Sequence, residues 1–222
     1  MTTTVLSYDP ERYDFRGVLA RLIGSERLDR LTADYDDAAE RGTNSLYKNM
    51  EQSPHFRRLY AGLESPAGTA FYTLYERFVR EQIRPQYDEP IYYQRRPSHR
   101  LLFADTPGES RFHRDRDYGH HPAEVNYLLV QTPAFDTNTI WIETEEDRAD
   151  YAPVTLDVGQ YVRFKGVHLK HGARLNTTGR SRVSFDFRVL PASQMPAADR
   201  SGGPSDEANP IRRNARDFVR CE

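Results

Sequence analysis

Three short stretches carry side chains able to do chemistry together: His113-Arg114-Asp115, His171-Gly172 and Arg182-Val183-Ser184. Two imidazoles and one carboxylate can occupy one face of a ferrous ion and leave the opposite positions open for exchangeable ligands. In extended chain, residues two apart point the same way, so His113 and Asp115 can reach one ion while Arg114 is directed away. The second histidine, His171, lies 56 positions beyond Asp115 and must come from a neighbouring strand, which a sheet readily supplies. Arg182 follows 11 positions later. An arginine with a serine two residues on can hold a carboxylate of a small dicarboxylic ligand, by a charge-assisted pair and a hydroxyl hydrogen bond. A His-x-Asp pair alone recurs by chance and would equally suit a surface ion cluster with Arg114 and Arg116. The downstream elements give it weight.

The elements that must position these groups divide the chain in two. The first part, about residues 10 to 90, reads helical. Val18, Leu19, Leu22 and Ile23 keep helical spacing. Ser53-Pro54 and Ser65-Pro66 are capping serines followed by proline at the first helical position, and each precedes an apolar stripe: Phe56, Leu59, Tyr60 and Leu63, then Phe71, Leu74, Tyr75 and Phe78. These stripes are core packing, and Pro85 is expected to stop the last helix. From about residue 97 to 190 short apolar runs alternate with turn signals: His99 to Ala104, Glu124 to Gln131, Asn138 to Glu143, Gln160 to Lys165 and Ser181 to Leu190. Several short strands in succession predict a sandwich or barrel. In the last run Val183, Phe185, Phe187 and Val189 alternate with Arg182, Ser184, Asp186 and Arg188, giving an apolar face to pack beneath the helices and a polar face able to line a cavity. Residues 191 to 222, rich in Pro, Ala, Ser, Gly and charge up to 217, read as a mobile or surface-packed tail.

Composition bounds the function classes. At 222 residues the chain suits one domain with a substantial core. Charged residues make up 29% and nearly balance, for a formal net charge of −2, so nothing favours nucleic acid or an anionic membrane as partner. The single cysteine, Cys221, excludes an internal disulfide and suits a reducing cytoplasm. The opening residues show no signal pattern, and no run approaches the roughly 18 apolar residues of a membrane span. Fourteen tyrosines and 11 phenylalanines suit a mixed or β-rich fold rather than a disordered chain.

With His113-x-Asp115, His171-Gly172 and Arg182-x-Ser184 in this order, residues 97 to 190 resemble the Fe(II)/2-oxoglutarate-dependent oxygenase superfamily. The stretches FHRDRDYGH (112–120), FDTNTIWIE (135–143) and TGRSRVSFDFRV (178–189) are similar to phytanoyl-hydroxylase-like oxygenases of aminoglycoside and orthosomycin antibiotic pathways, of the streptomycin and hygromycin type. The resemblance implies a mainly β fold, a double-stranded β-helix (a cupin-like jelly-roll barrel) with N-terminal helices buttressing one sheet. It implies iron held by His113, Asp115 and His171, and 2-oxoglutarate as cosubstrate with O2, its far carboxylate meeting Arg182 and Ser184. A carboxylate at position 115 argues against the family's halogenases, which carry a small residue there. Hydroxylation, desaturation, epimerisation and oxidative ring closure such as orthoester formation all stay open.

Other residues compete or assist. His168 is the rival to His171, and Arg180 to Arg182. His120 and His121 read as loop residues near the mouth. Asn126, Thr139 and Trp141 fall on strands that could line the cavity, and Arg100 is a candidate for the cosubstrate's 1-carboxylate. Tyr118, His120, His121, Asp136, Arg95, Arg96 and Arg116 could form a polar mouth suited to a sugar or aminocyclitol-like molecule. The expected protein is a monomer or homodimer. Two competing readings remain: a cupin-like metal isomerase or dioxygenase without 2-oxoglutarate, which has no need of Arg182 and Ser184, and a non-catalytic jelly-roll binding module, which gains nothing from an open metal face.

Overall fold

The computed structural model describes residues 3–32, 53–108, 111–195 and 217–222. The helical half begins with α1, Phe15–Ile23, capped by the Asp14 side chain on the Gly17 N–H and closed by Gly24 in the left-handed region (φ 76°). The Ser53 hydroxyl accepts from the Phe56 N–H and starts α2, Pro54–Glu64. Ser65 opens a 3-10 turn, Pro66–Gly68, that leads into α3, Thr69–Phe78. Both serine-proline starts therefore work as capping chemistry requires. Pro85 does not end the helical path. The α-helical turns finish at Phe78, and the chain continues through a π turn, Val79–Ile83, and a 3-10 turn, Arg84–Gln86, that contains the proline. Proline removes one donor and crowds the carbonyl four residues back; changing the hydrogen-bond spacing carries the chain past both.

The strands are β1 (Thr4–Ser7), β2 (Ile91–Gln94), β3 (Ser98–Leu102), β4 (Val125–Val130), β5 (Ile140–Ile142), β6 (Ala152–Pro153), β7 (Gln160–Phe164), β8 (His171–Ala173), β9 (Arg182–Pro191) and β10 (Phe218–Cys221). All pair antiparallel. A seven-stranded sheet runs β1-β7-β4-β9-β2-β10, with β3 also on β9, and a three-stranded sheet runs β6-β5-β8. All five apolar runs of the second half thus form strands. The pattern missed β1 and β2, which flank the helical part, the two-residue β6, and β10, which pairs with β2 from within the segment expected to be a tail.

Strand β9 is the spine. One edge pairs with β4, and the other is shared in succession by β3 and β2. Its odd residues, Val183, Phe185, Phe187 and Val189, join Phe15, Phe71, Tyr75 and Phe78 in one aromatic-rich core between the helices and the large sheet. Phe185 meets Phe15 and Phe71 edge-on at 5.0 and 5.4 Å between ring centroids. The opposite face of the large sheet contributes Leu128, Val130, Val162 and Phe164 to a second cluster with Ile140 and Ile142 of the small sheet. Strand β4 is consequently buried on both sides along its whole length. Among the described residues no helix is long and apolar enough to cross a membrane.

One polar residue sits wholly in the aromatic core. His99 on β3 packs against Phe71, Phe185 and Tyr60, and neither ring nitrogen has a hydrogen-bond partner among the described residues. Burial pushes its imidazole down from 6.5 to about 3. The unfolded chain therefore binds a proton that the folded chain refuses between these values. Stability from this site is complete above pH 6.5 and is lost as the pH falls towards 3, at up to about 1.4 kcal/mol per pH unit. His99→Phe should flatten the acid limb of stability against pH; denaturant melts at pH 7 and pH 5 test this, and an unchanged limb would show that His99 does not contribute.

Candidate metal centre

The site forms where a loop meets the small sheet. His113 makes an isolated antiparallel bridge with His171: the His113 N–H donates to the His171 carbonyl at 3.0 Å and the His171 N–H returns to the His113 carbonyl at 2.9 Å. This reciprocal pair sets the two imidazoles side by side, with ring centroids 4.6 Å apart. Arg114 is extended (φ −106°, ψ 143°), so Asp115 turns to the same side as His113. His113 Nε2 and His171 Nε2 each lie 3.5 Å from Asp115 Oδ1. One ligand atom from each residue falls within 4.8 Å of the others, a grouping sized for one ion.

Each histidine is oriented from behind. His113 Nδ1 faces the Arg111 carbonyl at 2.7 Å, and His171 Nδ1 faces the Leu169 carbonyl at 3.0 Å. A carbonyl only accepts, so each Nδ1 carries the proton and the neutral ring turns its Nε2 lone pair towards Asp115. Phe164 packs edge-on against His171. Burial pushes the His171 imidazole down to about 4, against the pull of Asp115.

Asp115 is 1% exposed. Its Oδ2 accepts from Asn126 Nδ2 at 2.7 Å and from Arg188 Nε at 2.8 Å, while its Oδ1 has no hydrogen-bond partner among the described residues. Burial alone would raise this carboxyl; the Arg188 guanidinium, with the two histidines, overcomes that and holds it well below the usual carboxylate range. A buried, ionised oxygen without a donor is costly, and two imidazole lone pairs beside it supply none. A cation is what satisfies all three atoms, so the donor set fits a metal ion and suits ferrous iron.

The close approach of the backbone depends on two glycines. The Gly166 N–H donates to Asn126 Oδ1 and its carbonyl accepts from the Asp115 N–H. A Cβ on Gly166 would stand 2.9 Å from both Asn126 and His171. One on Gly172 would come within 3.0 Å of the Phe112 backbone, which the His113–His171 bridge brings alongside. On the outer side, Arg114 donates to the His168 carbonyl, Glu143 and Asp147, directed away from the site as alternation predicts.

The structure sorts the remaining candidates. Arg182 is buried and Arg180 exposed. Ser184 shares the β9 face of Arg182, and its Oγ is buried without a hydrogen-bond partner among the described residues. Arg100 lies on β3 opposite Ser184, with Nε 2.9 Å from Asp186 Oδ1. Asn126 spends its amide on Asp115 and Gly166, so it acts on the carboxylate. The buried Thr139 hydroxyl donates to the Val154 carbonyl. Trp141 is on the outer face of the small sheet: its indole donates to the Asp136 carbonyl, and the Arg174 guanidinium stacks on it at 3.6 Å. His168 pairs with Glu146, away from the ligand cluster. His120 Nδ1 meets Glu124 at 2.9 Å, and His121 Nδ1 accepts from the Ala123 N–H. Of the residues offered for a mouth, Tyr118 is 67% exposed and sets its ring edge-on against His113. Arg95 pairs with Asp217, and Arg116 with Glu146. Sequence reasoning assigned no role to Arg188 or Gly166. The signal for Arg188 was present, since it shares the alternating face of Arg182 and Ser184; nothing in the sequence marks Gly166.

Gly166→Ala should displace Asn126 and the His171 ring together, lowering metal affinity by about tenfold, the lower end for loss of ligand-orienting contacts. Isothermal titration with a divalent metal under anaerobic conditions measures it, and wild-type affinity would show that the close approach is immaterial.

No protein-family model matches the chain. Among solved structures it is similar to AviO1 from Streptomyces viridochromogenes Tue57, at 18% identity over 88% of this chain and 92% of that one, with a TM-score of 0.48. It is also similar to SnoN, the non-heme alpha ketoglutarate dependent epimerase from nogalamycin biosynthesis, at 15% identity over 96% and 89% of the two chains and a TM-score of 0.49. A third is HygX from Streptomyces hygroscopicus, solved with nickel and 2-oxoglutarate bound, at 14% identity over 86% and 82% and a TM-score of 0.46. The streptomycin biosynthesis protein StrG of Streptomyces griseus is 34% identical over 199 residues. Because that identity extends over 89% of each chain, this protein belongs to the family of the streptomycin biosynthesis protein StrG.

Proposed function

We propose that the protein is an Fe(II)- and 2-oxoglutarate-dependent oxygenase that oxidises a small polar natural-product intermediate, of sugar or aminocyclitol type, in antibiotic biosynthesis. The observation that carries this reading is the buried, donor-free Oδ1 of Asp115 facing the Nε2 atoms of His113 and His171. His113, Asp115 and His171 would hold the iron. Bound there with 2-oxoglutarate and O2, the iron would supply the oxidising power to break an unactivated C–H bond of the substrate.

The chain's own residues bind, orient and screen. Arg182 and Ser184 would take the far carboxylate of 2-oxoglutarate, the guanidinium by a charge-assisted pair and the hydroxyl by donating one hydrogen bond. The buried Ser184 hydroxyl, with no acceptor for its O–H among the described residues, supports a carboxylate ligand over a cupin-like enzyme that uses none. Asn126 and Arg100 enter as supports, the first holding Asp115 and the second balancing Asp186 on the same β9 face. Thr139 ties the small sheet together through Val154. We read the two sheets, joined through the second apolar cluster, as the halves of a double-stranded β-helix, with the site between them. Substrate would approach past Tyr118 and the partly exposed His113, since Asp115 and His171 are sealed on their other sides. Membership of the StrG family supports an aminocyclitol-like intermediate, and the retained Asp115 favours hydroxylation or oxidative cyclisation over halogen transfer.

Anaerobic addition of Fe(II) and 2-oxoglutarate should produce a weak visible charge-transfer band. Folded protein that binds one iron yet gives no band would overturn the assignment. His113→Ala and Asp115→Ala should abolish turnover and weaken iron binding; turnover at the wild-type rate in either would mean the ligands lie elsewhere. Arg182→Ala should retain iron while weakening 2-oxoglutarate binding by on the order of 2–3 kcal/mol, the usual cost of losing a charged partner. Arg180→Ala should leave that affinity unchanged, and the reverse pattern would transfer the role to Arg180.

A further inference from the structure

Strand β9 places one more charged side chain against the site. Arg188 is buried on the face that also carries Arg182 and Ser184. Its Nε lies 2.8 Å from Asp115 Oδ2 and 3.7 Å from Glu124 Oε2. Glu124 is itself buried and held by His120 Nδ1 and the His121 N–H. Asn126 Nδ2 is the second donor to Asp115 Oδ2. The two oxygens of one carboxylate are therefore treated in opposite ways: Oδ2 receives two donors, one of them charged, and Oδ1 receives none.

We propose that Arg188, assisted by Asn126, is a positioning residue that reserves Oδ2 for itself and so confines Asp115 to one-oxygen ligation, keeping a coordination position available to the cosubstrate. This rests on the reading of the site as an iron and 2-oxoglutarate centre. A carboxylate beside a divalent ion can bind through one oxygen or both. Binding through both would fill a position that a two-atom chelating ligand and dioxygen need. For Oδ2 to turn to the metal it must leave the Arg188 guanidinium, which is buried and would lose its 2.8 Å partner, keeping only the weaker compensation of Asp186 and of Glu124 at 3.7 Å. Losing a partner from such a buried pair is strongly unfavourable. The arginine thus opposes the second metal contact without touching the metal.

Charge makes the expected result specific. Removing Arg188 deletes one positive charge beside two buried carboxylates, so a divalent ion loses no attraction to the site. A merely structural arginine would instead lower metal and cosubstrate binding in parallel. In Arg188→Met, which keeps an apolar stem without the donor, iron affinity should stay within about threefold of wild type or rise, while 2-oxoglutarate affinity, read anaerobically from the charge-transfer band, should fall by about tenfold or more, as for other ligand-orienting partners. Arg188→Lys, which restores a charge and a donor, should recover most of that affinity. Asn126→Ala should shift the balance in the same direction by less, and it decides the matter if Arg188→Met fails to fold by near-ultraviolet circular dichroism. Parallel loss of iron and cosubstrate in the folded variants, or no change in either, would overturn the proposal. Failure of the wild-type protein to form the band is a different outcome: it would remove the iron and 2-oxoglutarate assignment itself.

Discussion

Two backbone hydrogen bonds, exchanged between His113 and His171, set the distance on which the site depends. They join a loop after β3 to the start of β8 and bring two imidazoles from distant parts of the chain to 4.6 Å between ring centroids. The bridge needs Gly172 in place to let the Phe112 backbone approach, and the adjacent Asp115 needs Gly166 for the same reason. Side-chain chemistry here is a consequence of main-chain proximity. The carbonyls of Arg111 and Leu169 complete the arrangement by choosing which nitrogen of each ring faces inward.

Around that geometry the charges are arranged in alternation. Asp115, Arg188 and Glu124 form a buried row of carboxylate, guanidinium and carboxylate. Arg100 and Asp186 repeat a compensated pair further along the same face. Outside, Glu143 is satisfied by Arg114 and by the Lys170 and Ala149 N–H groups, which pins the loop that carries His113 and Asp115 against the small sheet. Compensation of this kind lowers the cost of burying ionised groups and leaves the few uncompensated atoms conspicuous.

Much of this was legible in the residues. Alternation in 182–189 reports a true two-faced strand, because ten residues give the period of two enough repeats to be read. His-x-Asp reports a shared direction because Arg114 is indeed extended. The serine-proline pairs report real caps. The failures have a common cause in length and parity. Strands such as β6 and β10, of two and four residues, are too short to show a period, and β10 pairs with the edge of β2. Trp141 falls on a strand that could line the cavity, but three residues do not declare which face is buried; Ile140 and Ile142 take the inner face and leave Trp141 on the outer one. Asn126 and Arg188 were visible as polar residues on strands, but their object, one oxygen of Asp115, exists only once three elements meet.

Strand β9 carries a last consequence, for the history of the sequence. Its odd residues belong to the aromatic core and its even residues to the site, with pairing partners along both edges. Shifting it by one position would drive Arg182 and Ser184 beneath the helices and present Val183 and Phe185 to the metal ligands. A single inserted or deleted codon within this strand is thus a loss of core and site at once, whereas the exposed chain that follows Tyr118 belongs to no strand and can change without shifting that alternation.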